Sequence, residues 1–212
     1  MAKLSDHFAS FELELHSIET SFSRCRSHSI VPALPVGYKA TEDGCLVSLW
    51  DAWNRFLRST VIISASGTVT GIGGTKYNPI KKRNEAQLLK FIKSANNLKN
   101  FGIEYGEPKW SDKAILTNVI PVLGLANSSV ILAGLKDNIT VRGIPLVDPI
   151  EEINICRNFI AHKSVANFDY MKLKSLGNFT DLPTYVREMI NGKERFSNWV
   201  EFLLTRAKLM LS

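Results

Sequence analysis

Cysteine is scarce in this chain: Cys25, Cys45 and Cys156 are the three present, at no C-x-x-C spacing and in an odd number. That usage argues against both a disulfide framework and a zinc site, and it suits a reducing cytoplasm. No Gly-Lys-Ser/Thr occurs after the glycines Gly67, Gly71, Gly73 and Gly74, and Lys76 stands where a G-x-G-x-x-G pattern needs its last glycine. The glycine-rich stretch is therefore not a phosphate-cradling loop of either familiar kind. No H-E-x-x-H is present and no tight carboxylate cluster lies near His162, so no metal or other cofactor is expected. The N-terminal Met1-Ala2-Lys3-Leu4-Ser5-Asp6-His7 turns charged too early for a signal peptide. The Asn-x-Ser/Thr triplets at Asn127, Asn138 and Asn178 then carry no meaning as glycosylation sites. Repeats and low-complexity segments are absent as well.

Charge is missing from one long stretch, Ala114 to Leu135, which is long enough to span a bilayer. Asn118, Pro121, Gly124 and Asn127-Ser128-Ser129 interrupt it, and Asn127 reads as a stop and restart between two short buried helices. A core or dimer-facing helix pair is expected there, and no membrane span.

What is present defines a globular chain of 212 residues, 45% hydrophobic, expected to form a single domain over residues 1–212. The net charge of +6 and a pI near 9.2 favour an anionic partner, most simply nucleic acid. Phe8, Phe11, Leu15, Ile18 and Phe22 recur at helical spacing, which predicts a helix from about Asp6 to near Arg26. His7, His16 and His28 lie in or beside it without an acid or arginine at a useful spacing, and read as surface histidines. A loop through Pro32, Pro35, Gly37 and Gly44 is expected next. Leu46, Leu49, Trp53, Phe56, Leu57, Thr60 and Ile63 then carry a second helix, whose tryptophans Trp50 and Trp53 read as core. Ser64 to Pro79 reads as a flexible loop or a short β-hairpin around Thr68-Val69-Thr70.

The densest basic stretch follows: Lys76, Lys81, Lys82 and Arg83, continued by Lys90, Lys93 and Lys99 on a helix that Asn84 and Gln87 can cap. It fits two readings equally, an RNA-backbone surface or the solvated face of a helix that turns Leu88, Leu89, Ile92 and Ala95 inward. Ile139 to Pro145 is a briefly extended connector. The last helix turns Phe196, Val200, Leu203 and Ala207 inward and sets Arg206 and Lys208 near its own C-terminus, where cations are favoured. The pattern as a whole is that of an all-α helical bundle.

Before that last helix stands another whose start is marked three ways: Asp148 can cap, Pro149 fits the first turn, and Glu151 completes a capping box. Ile150, Ile153 and Ile160, with Cys156 beside them, fall on one face; Glu151, Asn158 and His162 fall on another. Glu151-Glu152 are explained by the helix N-terminus, which favours negative charge. Arg157 and His162 stand five positions apart, about 140° around a regular helix. Two arrangements let them act together: a helix loosened near His162, or a second copy packed alongside. Asn158 lies one turn from His162 and can hydrogen-bond it or a phosphate.

The run Arg157-Asn158-Phe159-Ile160-Ala161-His162 resembles the R-x4-6-H motif of the HEPN ribonucleases. The resemblance covers these six residues and, beyond them, a coarse helical pattern. It implies a HEPN-like helical bundle that dimerises to form its site, and a metal-independent endoribonuclease with Arg157, Asn158 and His162 as its catalytic residues. Lys81, Lys82, Arg83 and Lys163 are the expected RNA contacts. It further implies a cytoplasmic toxin or anti-phage effector, held silent by an antitoxin or a sensing partner. In the subset controlled by nucleotide transfer a tyrosine stands two residues after the histidine; here that position is Ser164, so the resemblance does not extend to that control. The alternative reading is a helical module that binds RNA or protein without cutting.

Overall fold

A computed structural model describes residues 2–28, 36–94, 110, 113–125, 127–136, 140–141, 144–145, 149–162 and 182–212. The fold is all-α. Its helices among these residues are α1 (Leu4–His28), α2 (Val36–Ser66), α3 (Glu85–Ser94), α4 (Lys113–Val122), α5 (Ser128–Lys136), α6 (Pro149–His162), α7 (Leu182–Arg187) and α8 (Arg195–Met210). Short strands punctuate them: β1 (Ala2–Lys3), β2 (Val69–Thr70), β3 (Lys76–Tyr77), β4 (Thr140–Val141), β5 (Ile144–Pro145), β6 (Met189–Ile190) and β7 (Lys193–Glu194). The chain divides into two compact units interleaved in sequence, one of residues Met1–Glu12, Trp53–Asn138 and Leu204–Ser212, the other of Leu13–Ala52 and Ile139–Leu203.

In the first unit Leu4, Phe11, Trp53, Phe56 and Leu57 are buried at helical spacing. Phe11 stacks on Phe56 with ring centroids 4.3 Å apart, and Trp53 lies 5.7 Å from Phe56. Each such ring removed from water contributes roughly 1.5–3 kcal/mol. His7, expected at the surface, is half-buried here. It stacks on Phe56 at 4.9 Å, and its Nε2 lies 3.1 Å from Thr60 Oγ1. Burial pushes its pKa below the ordinary 6.5, against a smaller opposing pull from the Phe56 carbonyl.

The glycine-rich stretch forms the expected hairpin, β2 pairing antiparallel with β3 in the register Val69↔Tyr77, and β1 adding a parallel third strand. Gly71 is required where it stands, since a Cβ there would lie 2.9 Å from the Ser212 carbonyl oxygen. The Asn84 and Gln87 cap of α3 also forms: each side chain accepts from the other's backbone N–H, at 2.9 and 3.0 Å. The charge-free stretch is two short helices, α4 and α5. Gly124, at φ +67°, ends the first, and Asn127 starts the second by accepting from the Ile131 N–H at 3.0 Å. The buried Asn127 amide donates to Ser64 Oγ at 3.0 Å. Among the described residues no helix is long and apolar enough to cross a membrane.

Two expectations are corrected here and in the second unit. Arg206 does not serve the end of its own helix: its buried Nη1 donates to the Gly134 and Leu135 carbonyls at 2.8 and 2.6 Å, capping α5 instead. In the second unit α2 begins at Val36, so Gly37 and Gly44 sit inside a helix and not in a loop. Burial of Glu42, Cys45, Leu46 and Leu49 along one face outweighs the roughly 1 kcal/mol that each glycine costs a helix.

The rest of the second unit packs α6 and α7 with α8 around Phe196 and Trp199; Phe22 stacks on Phe196 at 4.0 Å. β6 and β7 form a two-residue hairpin in which Asn191 and Gly192 both have positive φ, 54° and 78°, as a type I′ turn requires. The buried Glu42 carboxylate forms an ion pair with Arg187 of α7.

Candidate functional site

The rotation of α6 about its axis is set by its apolar face and by one acid. Ile150, Ile153, Ile155 and Cys156 are buried, and Glu152 is buried with them at 6% exposure. Its carboxylate accepts from Trp199 Nε1 at 2.8 Å and pairs with Arg195 Nη1 at 3.4 Å. Arg195 is itself fixed on three further sides: its Nη2 pairs with Glu188, its Nε donates to the Tyr185 carbonyl at 3.2 Å, and its guanidinium lies 4.0 Å over the Tyr185 ring. Loss of water around Glu152 nevertheless exceeds these attractions and holds its pKa above the ordinary carboxylate value. Burial likewise pushes the Cys156 thiol and the Tyr185 phenol upward, with Glu152 adding to both. This cluster makes Glu152 an anchor of α6, which the helix-dipole explanation of Glu151-Glu152 misses.

With that face fixed, Asn154, Arg157 and Asn158 are left half-buried. They form a short ladder: Asn158 Nδ2 donates to Asn154 Oδ1 at 3.3 Å, and Arg157 Nη1 donates to Asn158 Oδ1 at 3.2 Å. Asn158 Oδ1 therefore orients the arginine. Among the described residues no carboxylate pairs with Arg157, and its buried Nε makes no hydrogen bond. Asn154 belongs to the site although the sequence reading passed over it; its i, i+4 relation to Asn158 was the available signal.

α6 remains α-helical up to His162, so within one chain the Cα positions of Arg157 and His162 keep their wide angular separation, about 140°. The His162 side chain and all of Lys163 lie outside the described residues, as do the Asp148 cap and Lys99.

The basic stretch divides. Lys81, Lys82, Lys90 and Lys93 are exposed. Arg83 is half-buried, donating through Nη1 to the Leu123 carbonyl at 2.8 Å while its guanidinium lies 4.1 Å over the Phe91 ring. It ties the end of α4 to α3 and is less available to RNA than the two lysines before it. Among the described residues no three His, Cys, Asp or Glu side chains converge as metal ligands. No family model, curated protein or solved structure matches this chain.

Proposed function

We propose that the chain is a metal-independent endoribonuclease of HEPN type, acting as a homodimer in the cytoplasm as a toxin or anti-phage effector under an antitoxin or sensor. The observation that carries this reading is the Asn154–Asn158–Arg157 ladder: a guanidinium oriented by two amides, with no carboxylate to neutralise it among the described residues. A half-buried cation so placed suits an incoming phosphate, which the planar fork can grip through two oxygens.

The reaction needs a proton acceptor near neutrality, and His162 is of the right chemical type. Its imidazole takes the proton of a ribose 2′-OH as that oxygen bonds to the adjacent phosphorus. The P–O5′ bond breaks, the 5′-oxygen gains a proton, and the products are a 2′,3′-cyclic phosphate and a 5′-hydroxyl. One imidazole performs one of these transfers at a time. A two-fold dimer supplies the second, and the regularity of α6 favours that arrangement over a loosened helix. Arg157 holds the charge that develops on the phosphate. DNA, lacking the 2′-OH, is not a substrate.

Induced expression of the wild type beside His162→Ala, with RNA ends mapped, tests the reading. Cleavage by the wild type alone, to cyclic-phosphate ends and in EDTA, is the expected result. Cutting of DNA, or a requirement for magnesium, refutes the mechanism. If neither protein cuts while both stay folded, a missing activator and a binding module are the two explanations left, and RNA binding by the isolated chain would favour the module.

A further inference from the structure

In the first unit a cleft of about 730 Å³ opens beside the last turn of α2 and the small sheet, lined by Ile62, Ile63, Ser66, Thr68, Lys76, Asn78 and Lys82, with Ala2 and Gly67 at its edge. Its chemistry is lopsided. Two exposed ammonium groups line it and, among the described residues, no carboxylate does. Among the described residues neither the Lys76 nor the Lys82 ammonium has an ion pair or hydrogen bond. At the end of α2 the Ala65 carbonyl is already taken by the Arg83 N–H at 2.9 Å, and the Ser66 hydroxyl donates back to the Ile62 carbonyl at 2.7 Å. Thr68 donates to Asn78 Oδ1 at 2.6 Å, which fixes the amide and leaves its NH₂ as a further donor. Ile62 and Ile63 supply a half-exposed apolar wall.

We infer that this cleft binds a nucleotide phosphate, with Lys76 and Lys82 holding the anion, the Asn78 amide donating to a polar edge, and the isoleucine wall covering the sugar or base. Donors without acceptors select an anion. The apolar wall selects one that carries an organic face. A free mononucleotide and a single nucleotide within an RNA strand share this chemistry. The site uses none of the residues of α6, so it stands apart from the cleavage chemistry, and it shares only Lys82 with the expected RNA contacts.

The test uses the full chain carrying His162→Ala, so that cleavage cannot consume the probe. Uridine monophosphate, uridine, inorganic phosphate and an eight-nucleotide oligouridylate are titrated by calorimetry. The same titrations are run with Lys76→Gln/Lys82→Gln and, as a control for general positive charge, with Lys90→Gln/Lys93→Gln on α3. The expected result is binding of a phosphate-bearing nucleotide but not of uridine, weakened at least about tenfold by the first pair and little by the second. For the oligonucleotide, the slope of log K against log salt should fall by about 0.7, the value for one phosphate contact on a single strand. Binding of both nucleotide probes assigns the site to free nucleotides; binding of the oligonucleotide alone assigns it to a strand. No binding, equal loss with both lysine pairs, or equal binding of inorganic phosphate would overturn the inference. All four lysines are exposed, so their loss leaves the fold intact, and circular dichroism checks this.

Discussion

Gly134→Ala should destabilise the protein strongly, although alanine is the better helix former at a position inside α5. A Cβ added at Gly134 would lie 2.6 Å from Met210 Cγ, 2.7 Å from Met210 N and 2.8 Å from Met210 Cα. The last two are backbone atoms and cannot rotate away. Ordinary contact at about 3.5 Å therefore requires α5 and the end of α8 to separate by roughly 0.7–0.8 Å. The same interface is bridged by Arg206 Nη1, at 2.8 Å from the Gly134 carbonyl and 2.6 Å from that of Leu135. Such a separation carries the longer bond to the edge of hydrogen-bond range and leaves a buried guanidinium poorly satisfied. Overpacking costs about 1–3 kcal/mol and a hydrogen bond to a charged group about 1.5–3, against which alanine returns about 1 kcal/mol of helix propensity. The net expectation is a loss of about 2–5 kcal/mol, a fall of roughly 1–2 M in urea midpoint. Gly44→Ala in α2 supplies the contrast, because its Cβ meets nothing within 4 Å and should gain up to about 1 kcal/mol. Urea unfolding followed by circular dichroism measures both. A Gly134→Ala midpoint equal to or above the wild type would refute the close approach of the two helices.

The raised pKa of Glu152 means that its contribution is fully present below the ordinary glutamate value and is lost as pH rises through the folded value. The stability of the wild type relative to Glu152→Gln should therefore improve as pH falls from 7 towards 4.5, and an advantage that grows in the alkaline direction would contradict it. His7 has the opposite sign: its lowered pKa gives stability above the ordinary value that is lost as pH falls through the folded one. NMR titration of its ring should give a midpoint under 6.5, and a midpoint at or above that value would exclude the buried, stacked position. Arg157→Lys should cut RNA about 10²- to 10³-fold more slowly, with its urea midpoint little changed; equal cleavage would remove the bidentate role of the arginine. Arg157→Leu should leave stability unchanged or higher, because no carboxylate among the described residues is orphaned by the change.

What the sequence disclosed, and what it hid, follows from the range over which each interaction acts. The α3 cap was legible because Asn84 and Gln87 are three residues apart, and the first helix because Phe11, Leu15 and Phe22 repeat on one face. Asn127 was legible as a restart for the same local reason. The start of α2 was not, since the glycine penalty is local while the burial of Glu42 and Cys45 that overrides it is tertiary. Asn191-Gly192 carried a strong hairpin signal, but strands of two residues leave no alternation to read around it. Glu152 looked like an ordinary first-turn acid because Arg195 and Trp199 stand 43 and 47 positions away. Arg206 reaches still further, across 72 positions to Gly134.

The contrast between the two charged residues of α6 bears on what the helix is for. Glu152 is taken out of water and matched by an arginine and an indole N–H, both from α8. Those partners fix how α6 is turned, because the Glu152 carboxylate must face Trp199 while Ile153 and Cys156 enter the core. Arg157, five positions on, receives the reverse treatment: two amides orient it and no acid neutralises it among the described residues. A chain selected only for stability would have paired this half-buried cation or replaced it by an apolar residue. Keeping it oriented, with no acid on it among the described residues, makes sense if its counter-charge arrives with a ligand. The anchoring at Glu152 then holds the ladder in place before that ligand binds, which is the pre-organisation that electrostatic stabilisation of a phosphate requires.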